Sequence, residues 1–237
     1  MYGPDTLNDR RCFDAAADAA RAFATLRAGG IAIVPNVTGY SLLGGSPEAL
    51  RRIFRTKGRG TEKRNAMVGN AAWHAELHVC GPRGREIVAA VTGDYDLPFG
   101  CVAPFRADHP ALRTLPADTL ADSSLGGTLA MLLNAGRLHA ALTALSFASG
   151  MPLFGSSANL SGTGARFAVE DMQPEIRALA DTLIDHGLQR GHVYAASATL
   201  LNVETLQVVR HGACFADIAY VLRRHFGIEL KPPGAGA

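Results

Sequence analysis

The first strong pattern in the chain is helical. Residues 14–28 are alanine-rich, with Phe23 and Leu26 at helical spacing, Asp14 placed as an N-cap and Gly29-Gly30 as a stop. The short apolar run Ile31-Ala32-Ile33-Val34, closed by Pro35, then reads as a buried strand. Ser46-Pro47-Glu48 predicts the next helix start, because serine caps and proline suits the first helical position; Leu50, Ile53 and Phe54 supply its apolar face. That helix should break at Gly58 and leave Lys57 at its end. Further strands are predicted at 86–91, 128–133, 152–155, 198–203 and 206–210, and helices at 137–149, 169–183 and 216–226. The last two strands are close enough for a hairpin, which makes the sheet mixed rather than purely parallel. Residues 93–124 carry four prolines and little periodicity, and yield no element. Residues 231–237 read as a flexible C-terminal tail.

These elements define an α/β chain with one domain over 1–230, a mixed sheet flanked by helices. At 237 residues it is long enough to bury a substantial core. A hydrophobic fraction of 48% and a charged fraction of 19% are those of a soluble globular protein, and no apolar stretch approaches the roughly 18 residues a membrane span needs. The N-terminus lacks a basic patch followed by an apolar core, so a cytoplasmic location without a membrane partner is expected. Cys12, Cys80, Cys101 and Cys214 form no C-x-x-C pair and read as reduced thiols rather than a disulfide framework or a zinc site.

Formal net charge is only +2, but cations cluster locally: Arg51, Arg52, Arg55, Lys57, Arg59, Lys63 and Arg64 face one acid, Glu62. Such a run is either a solvated helix face or an anion site. The stretch Phe154-Gly155-Ser156-Ser157-Ala158-Asn159-Leu160-Ser161-Gly162 ends an apolar run with hydroxyls, an amide and two glycines. Cations and hydroxyl or amide donors are what a phosphorylated ligand requires, if the fold brings them together. Three other signals are weaker. Gly155-Ser156-Ser157-Ala158-Asn159 has a passing likeness to a nucleophile elbow, with His186, His192 or His211 as a base, but lacks the second glycine. Trp73-His74-Ala75-Glu76-Leu77-His78 offers metal-ligand types without the H-E-x-x-H spacing and reads as an exposed polar turn. No G-x-x-x-x-G-K-[ST] loop exists, so ATP would not be held as in a P-loop enzyme.

Several separated motifs resemble the YrdC-like family, whose best-known members are threonylcarbamoyl-AMP synthases. Pro35-Asn36-Val37-Thr38-Gly39-Tyr40-Ser41-Leu42 is similar to the family's P-T-[DE]-T-x-Y-G-L; Lys57-Gly58-Arg59 is its K-x-R, with Lys63 as a second lysine; Ser157-Ala158-Asn159 is its S-x-N; and Arg210-His211-Gly212 is its R-x-G. The resemblance runs from about residue 14 to 226 and implies a twisted sheet bearing an active cleft. It further implies ATP, bicarbonate and L-threonine or another amine as substrates, with Mg²⁺, and a carbamoyl-adenylate as product. That product would feed tRNA modification through partner proteins, with tRNA contact. On this resemblance Lys57, Arg59 and Lys63 serve phosphates and carbamate, with Lys57 and Arg59 catalytic. Ser157 and Asn159 bind phosphate or adenylate, Arg210 makes a further anionic contact, and Thr38 and Tyr40 meet the amino-acid end. No resident protein-held metal is implied.

Departures from the pattern are Asn36 for threonine, Val37 for an acid, Ser41 for glycine, Arg64 for proline, Leu132 for arginine, Asn134 for proline and Ala198 for serine. A G-P-x-T segment near residue 100 is not recognisable. These changes favour, as the alternative, a diverged enzyme acting on another amine. A non-catalytic RNA- or nucleotide-binding module is the remaining class, and binding through phosphates would make it strongly salt-dependent.

Overall fold

Asp14 caps the first helix as its position requires, its Oδ1 accepting from the N–H groups of Ala16 and Ala17 at 3.0 Å each. Helix α1 (Ala15–Arg27) buries Ala19, Ala22, Phe23 and Leu26. Strand β1 (Ile31–Asn36) turns at Gly39, whose φ of 116° favours glycine, into the antiparallel strand β2 (Gly39–Gly44). Pro35 is tolerated inside β1 because the strand's other neighbour pairs only with Ala32 and Ile33, so no ladder bond is lost. Ser46 Oγ accepts from Ala49 N at 3.1 Å and starts α2 (Pro47–Thr56). The computed structural model describes residues 13–58 and 64–231; Arg59, Lys63, Cys12 and nearly all of the predicted tail fall outside that range.

The chain continues through β3 (Ala66–Val68), α3 (Ala71–Leu77), α4 (Pro82–Ala89), a π-helical turn at Ala90–Asp94 and β4 (Phe99–Pro104). Next come α5 (Pro110–Arg113), α6 (Ala117–Ala121), β5 (Ser124–Leu125), β6 (Thr128–Leu133), α7 (Arg137–Ala148) and β7 (Leu153–Ser157). The last part holds α8 (Pro174–Arg177), β8 (Thr182–Leu183), a 3₁₀ turn at Arg190–Tyr194, β9 (Leu200–Asn202), β10 (Val208–Arg210) and α9 (Phe215–Phe226). One mixed, twisted sheet results, in the order β10-β9-β4-β6-β3-β7-β2-β1-β8, with β5 paired to β6. The expected hairpin is β9 and β10, antiparallel, while β9 joins the sheet parallel to β4.

Side-chain alternation gives the two sheet faces different fates. On one face Leu42, Met67, Leu129, Met131, Phe154 and Leu201 form the main core with residues from α2, α3, α4 and α9. On the other, α1 and α7 cover Ala32, Val34, Leu43, Val68 and Leu153. Farther across the sheet the second face carries Ser41, Ala66, Val102, Ala130 and Asn202, and no helix of the described residues covers it. That uncovered half is a cavity floor.

Two predicted elements are corrected. The segment 86–91 is not a strand: Pro82 starts α4, and Ile87, Val88 and Val91 bury one face at helical spacing while Arg85 and Glu86 stay exposed. The helix expected over 169–183 shrinks to α8, because Pro174 can only begin a helix. The chain then turns so that Asp181 accepts from Ile31 N at 2.8 Å, and β8 docks parallel to β1. The expected exposed turn at Trp73–His78 is also overturned: Trp73, His74 and His78 are buried. The unassigned 93–124 region contributes β4, which sits deep in the sheet.

His139 on α7 is a core histidine with both ring nitrogens engaged: Ala135 N–H points at Nδ1 at 3.4 Å and Nε2 faces Leu132 O at 3.2 Å. Burial lowers its pKa to about 4. As pH falls below about 6.5 the unfolded chain binds a proton that the folded chain refuses until about pH 4, so stability should fall across that window. Denaturation midpoints between pH 7 and 4.5 should decline less steeply in His139→Gln than in wild type, the difference being on the order of 2 kcal/mol. Equal slopes would assign the acid sensitivity elsewhere.

Candidate active site

Lys57 sits at the C-cap of α2, where Gly58, at a φ of 55°, ends the helix. The residue is only 3% exposed. Its ammonium donates to the carbonyls of Ser157 and Asn159, and its own carbonyl accepts from Ser161 N at 3.2 Å. The basic helix end and the S-x-N loop, 100 residues apart, are thus fastened together by the lysine itself. Gly155 permits the close strand pairing beneath this loop, since a Cβ there would stand 2.2 Å from Leu42 O.

The loop presents its polar side chains to the cavity. Among the described residues, the buried oxygens Asn159 Oδ1 and Ser161 Oγ have no hydrogen-bond partner in the protein. Buried polar atoms are normally satisfied, so unpaired ones lining a cavity suit a ligand. Opposite them, Arg64 Nε donates to Ser124 O at 3.0 Å. Arg210, though exposed as a residue, turns its guanidinium onto Ala198 O, with Nη2 at 2.7 Å and Nε at 3.0 Å. Gly212 lets that backbone approach, because a Cβ would meet Ser197 O at 2.3 Å.

A cavity of about 930 Å³ is lined by Thr38, Tyr40, Lys57, Ser157, Asn159 and Arg210. These are all the sequence-predicted site residues within the described range. No aspartate, glutamate or histidine is among the described lining residues, whereas Lys57, Arg64 and Arg210 are. A described wall with three cations and no acid suits anions. The described lining offers no histidine base for the hydrolase alternative: His186 instead meets Asp18 at 2.8 Å, and His211 packs against Phe215 with its ring tilted.

The two residues expected at an amino-acid end differ. Tyr40 touches the cavity, but its hydroxyl donates to Gly187 O at 2.8 Å and lies 3.0 Å from Asp185 Oδ1, and burial with that carboxylate raises its pKa far above the usual value. Thr38 is tied to Asn36, whose Oδ1 accepts from Thr38 N at 2.9 Å and Thr38 Oγ1 at 2.8 Å. Asn36 Nδ2 in turn donates to Ser41 Oγ at 2.7 Å. Arg64, Asn36, Ser41, Asn202 and Ser161 all line the cavity without having been predicted as site residues. The basic run held the signal for Arg64; isolated polar residues on apolar strands gave it for Ser41 and Asn202.

The sequence matches the family described as Sua5/YciO/YrdC, telomere recombination, over residues 24–212. The chain belongs to this family. No curated protein sequence matches it. Among solved structures, the hypothetical protein smu.1377c from Streptococcus mutans superposes with a TM-score of 0.70 at 18% identity, covering 90% of this chain and 93% of that one. P. abyssi Sua5 complexed with L-threonine gives 0.69 at 22% identity, with 92% of this chain covered but only 60% of Sua5. Full-length HypF in its phosphate- and nucleotide-bound form gives 0.62 at 16% identity, covering 84% of this chain and 29% of HypF. These similarities establish a YrdC-type fold.

Within the YrdC-like framework the departures separate into two groups. Asn36 and Ser41 face the cavity and bond to each other, so they are one coupled replacement. Leu132 packs against the α1 and α7 side of the sheet, outside the cavity. Asn134 has a φ of 50°, which proline cannot adopt, and Nδ2 reaches Asp96 Oδ1 at 2.9 Å. At Ala198 the contact with Arg210 is made by the backbone carbonyl, which an alanine supplies as well as a serine.

Proposed function

We propose that this protein condenses ATP, bicarbonate and an amine into a carbamoyl-adenylate, with L-threonine as the family's reference substrate. The observation that carries this reading is the convergence of Lys57, Arg64, Arg210 and the unpaired oxygens of Asn159 and Ser161 on one cavity whose described lining holds no acid. Amine and bicarbonate give a carbamate and water; a carbamate oxygen then attacks the α-phosphorus of ATP and pyrophosphate leaves. Several negative charges must be held together, and fixed cations and hydrogen-bond donors do that without further reorganisation. Lys57, immobilised by two carbonyls, would hold its charge at the loop where phosphate oxygens pack, while the Ser157 hydroxyl and the Asn159 amide orient the adenylate. Arg210 would bind the leaving anion. Arg59 and Lys63 are proposed to add charge from the neighbouring segment.

Mg²⁺ takes oxygen ligands, usually carboxylates, and the described lining has none. It would therefore enter on the triphosphate rather than in a protein cage. The coupled Asn36–Ser41 pair supports an acceptor other than L-threonine, and transfer of the product to tRNA by partner proteins in the cytoplasm belongs to the same proposal. Bicarbonate-dependent pyrophosphate release, screened over L-threonine and other amines, tests it; no release with any amine would overturn it.

Ser157→Ala and Asn159→Ala should each lower turnover by about tenfold or more, roughly one lost ligand hydrogen bond, while unfolding midpoints stay near wild type. Lys57 holds backbone carbonyls at both positions, so these truncations leave the loop fastened. Full activity in both variants would show that the loop side chains do not meet substrate.

A further inference from the structure

On the sheet face opposite the cavity, α3 and β4 bring together three metal-binding side chains. His74 and His78 lie one helical turn apart, with their Nδ1 atoms 2.9 Å from each other. Cys101 Sγ stands 3.7 Å from His78 Nδ1 and 3.9 Å from His74 Nδ1. We propose that His74, His78 and Cys101 bind a zinc ion that pins α3 to β4.

The geometry fits this ion closely. Tetrahedral zinc, with Zn–N near 2.0–2.1 Å and Zn–S near 2.3 Å, sets two nitrogens about 3.3 Å apart and nitrogen from sulfur about 3.6 Å apart. The observed triangle needs adjustments of only a few tenths of an ångström. His78 Nε2 faces Leu129 O at 3.2 Å. A proton held there leaves the Nδ1 lone pair free toward the other two groups, the way a metal-bound histidine is ordinarily oriented. The N₂S donor set suits zinc and disfavours Mg²⁺ and Ca²⁺, which want oxygen.

Binding would transfer one proton, from the Cys101 thiol to solvent, and the Zn²⁺ charge would stabilise the thiolate. Water would complete the coordination. Because Cys101 is followed on β4 by Val102, which lines the cavity on the opposite face, the ion would brace the back of the cavity floor.

The test uses the untagged full chain, stripped with a chelator and titrated with Co²⁺ as a spectroscopic stand-in for zinc. One Co²⁺ per chain should bind, with tetrahedral d–d absorption and a thiolate-to-cobalt charge-transfer band, and Zn²⁺ should displace it and raise the unfolding temperature. Cys101→Ala should lose the band while keeping a wild-type far-ultraviolet circular dichroism spectrum, and Cys214→Ala should retain it. Should Cys101→Ala fail to fold, the wild-type charge-transfer band and its displacement by Zn²⁺ still decide the matter. Absence of that band, or equal Co²⁺ binding by folded Cys101→Ala, overturns the site and leaves the histidines as a hydrogen-bonded core pair. None of these readouts depends on catalysis.

Discussion

Lys57→Met is expected to abolish pyrophosphate release and, in the same variant, to lower folding stability by on the order of 3 kcal/mol. Both losses follow from one arrangement. The ammonium is buried and donates to two carbonyls on the S-x-N loop, so an apolar replacement strips both of a charged donor, although Ser157 O keeps the Asn159 N–H at 3.0 Å. Hydrogen bonds to charged groups contribute about 1.5–3 kcal/mol each, and an unmet buried acceptor carries its own desolvation penalty. The cavity also loses one of its three described cations. Urea unfolding beside pyrophosphate release separates the effects. A wild-type unfolding curve with activity lost would mean that Lys57 serves the ligand only; a destabilised variant with normal turnover would remove it from the chemistry. Ser157→Ala, which leaves the clamp intact, is the paired control.

Restoring the family's residues at the coupled pair, with Asn36→Thr and Ser41→Gly together, should shift amine selectivity toward L-threonine by at least about tenfold in kcat/KM. In this protein Asn36 spends its oxygen on Thr38 and its amide on Ser41, so the Thr38 hydroxyl proton is committed within the protein rather than offered to a substrate. Removing that acceptor frees the hydroxyl, and removing the Ser41 side chain opens the floor beside it. Sites that hydrogen-bond a substrate group reject analogues lacking it far more strongly than apolar pockets do. Each single change leaves a partner unpaired, so the double variant should exceed the sum of the two singles. Unaltered rankings across an amine panel would show that the pair only shapes the β1–β2 turn.

Much of this was legible before the structure. Caps at Asp14 and Ser46 and the apolar strands 31–34 and 128–133 reflect local chemistry that tertiary packing reinforced. That Thr38, Tyr40, Lys57, Ser157, Asn159 and Arg210 would share one cavity was expected from the order of the motifs, which lie far apart in the chain. What failed depended on longer-range context. Glu86–Val91 contains β-branched residues, yet Pro82 and a one-sided burial pattern made it helical. Nothing local shows that Asp181 will reach Ile31 and end a helix-like run. His74 and His78 looked like solvent-facing polar residues because Cys101, their third neighbour, arrives from a strand in the segment whose prolines hid its periodicity. Lys57 was expected at an anion site from the sequence, whereas its place as a clamp could be seen only with the S-x-N loop in position.

The sheet ends in very short strands, two residues in β8 and three in β10. An open sheet normally offers its rims as templates on which another chain can add a strand, and long flat rims are where aggregation begins. Here one rim runs out after two residues, and the other carries Arg210, whose side chain folds back onto the preceding hairpin strand's approach at Ala198. The protein can therefore leave half of one sheet face uncovered for small molecules while giving a neighbouring copy little backbone to pair with. In concentrated solution it should stay free of edge-to-edge polymers even with the cavity exposed.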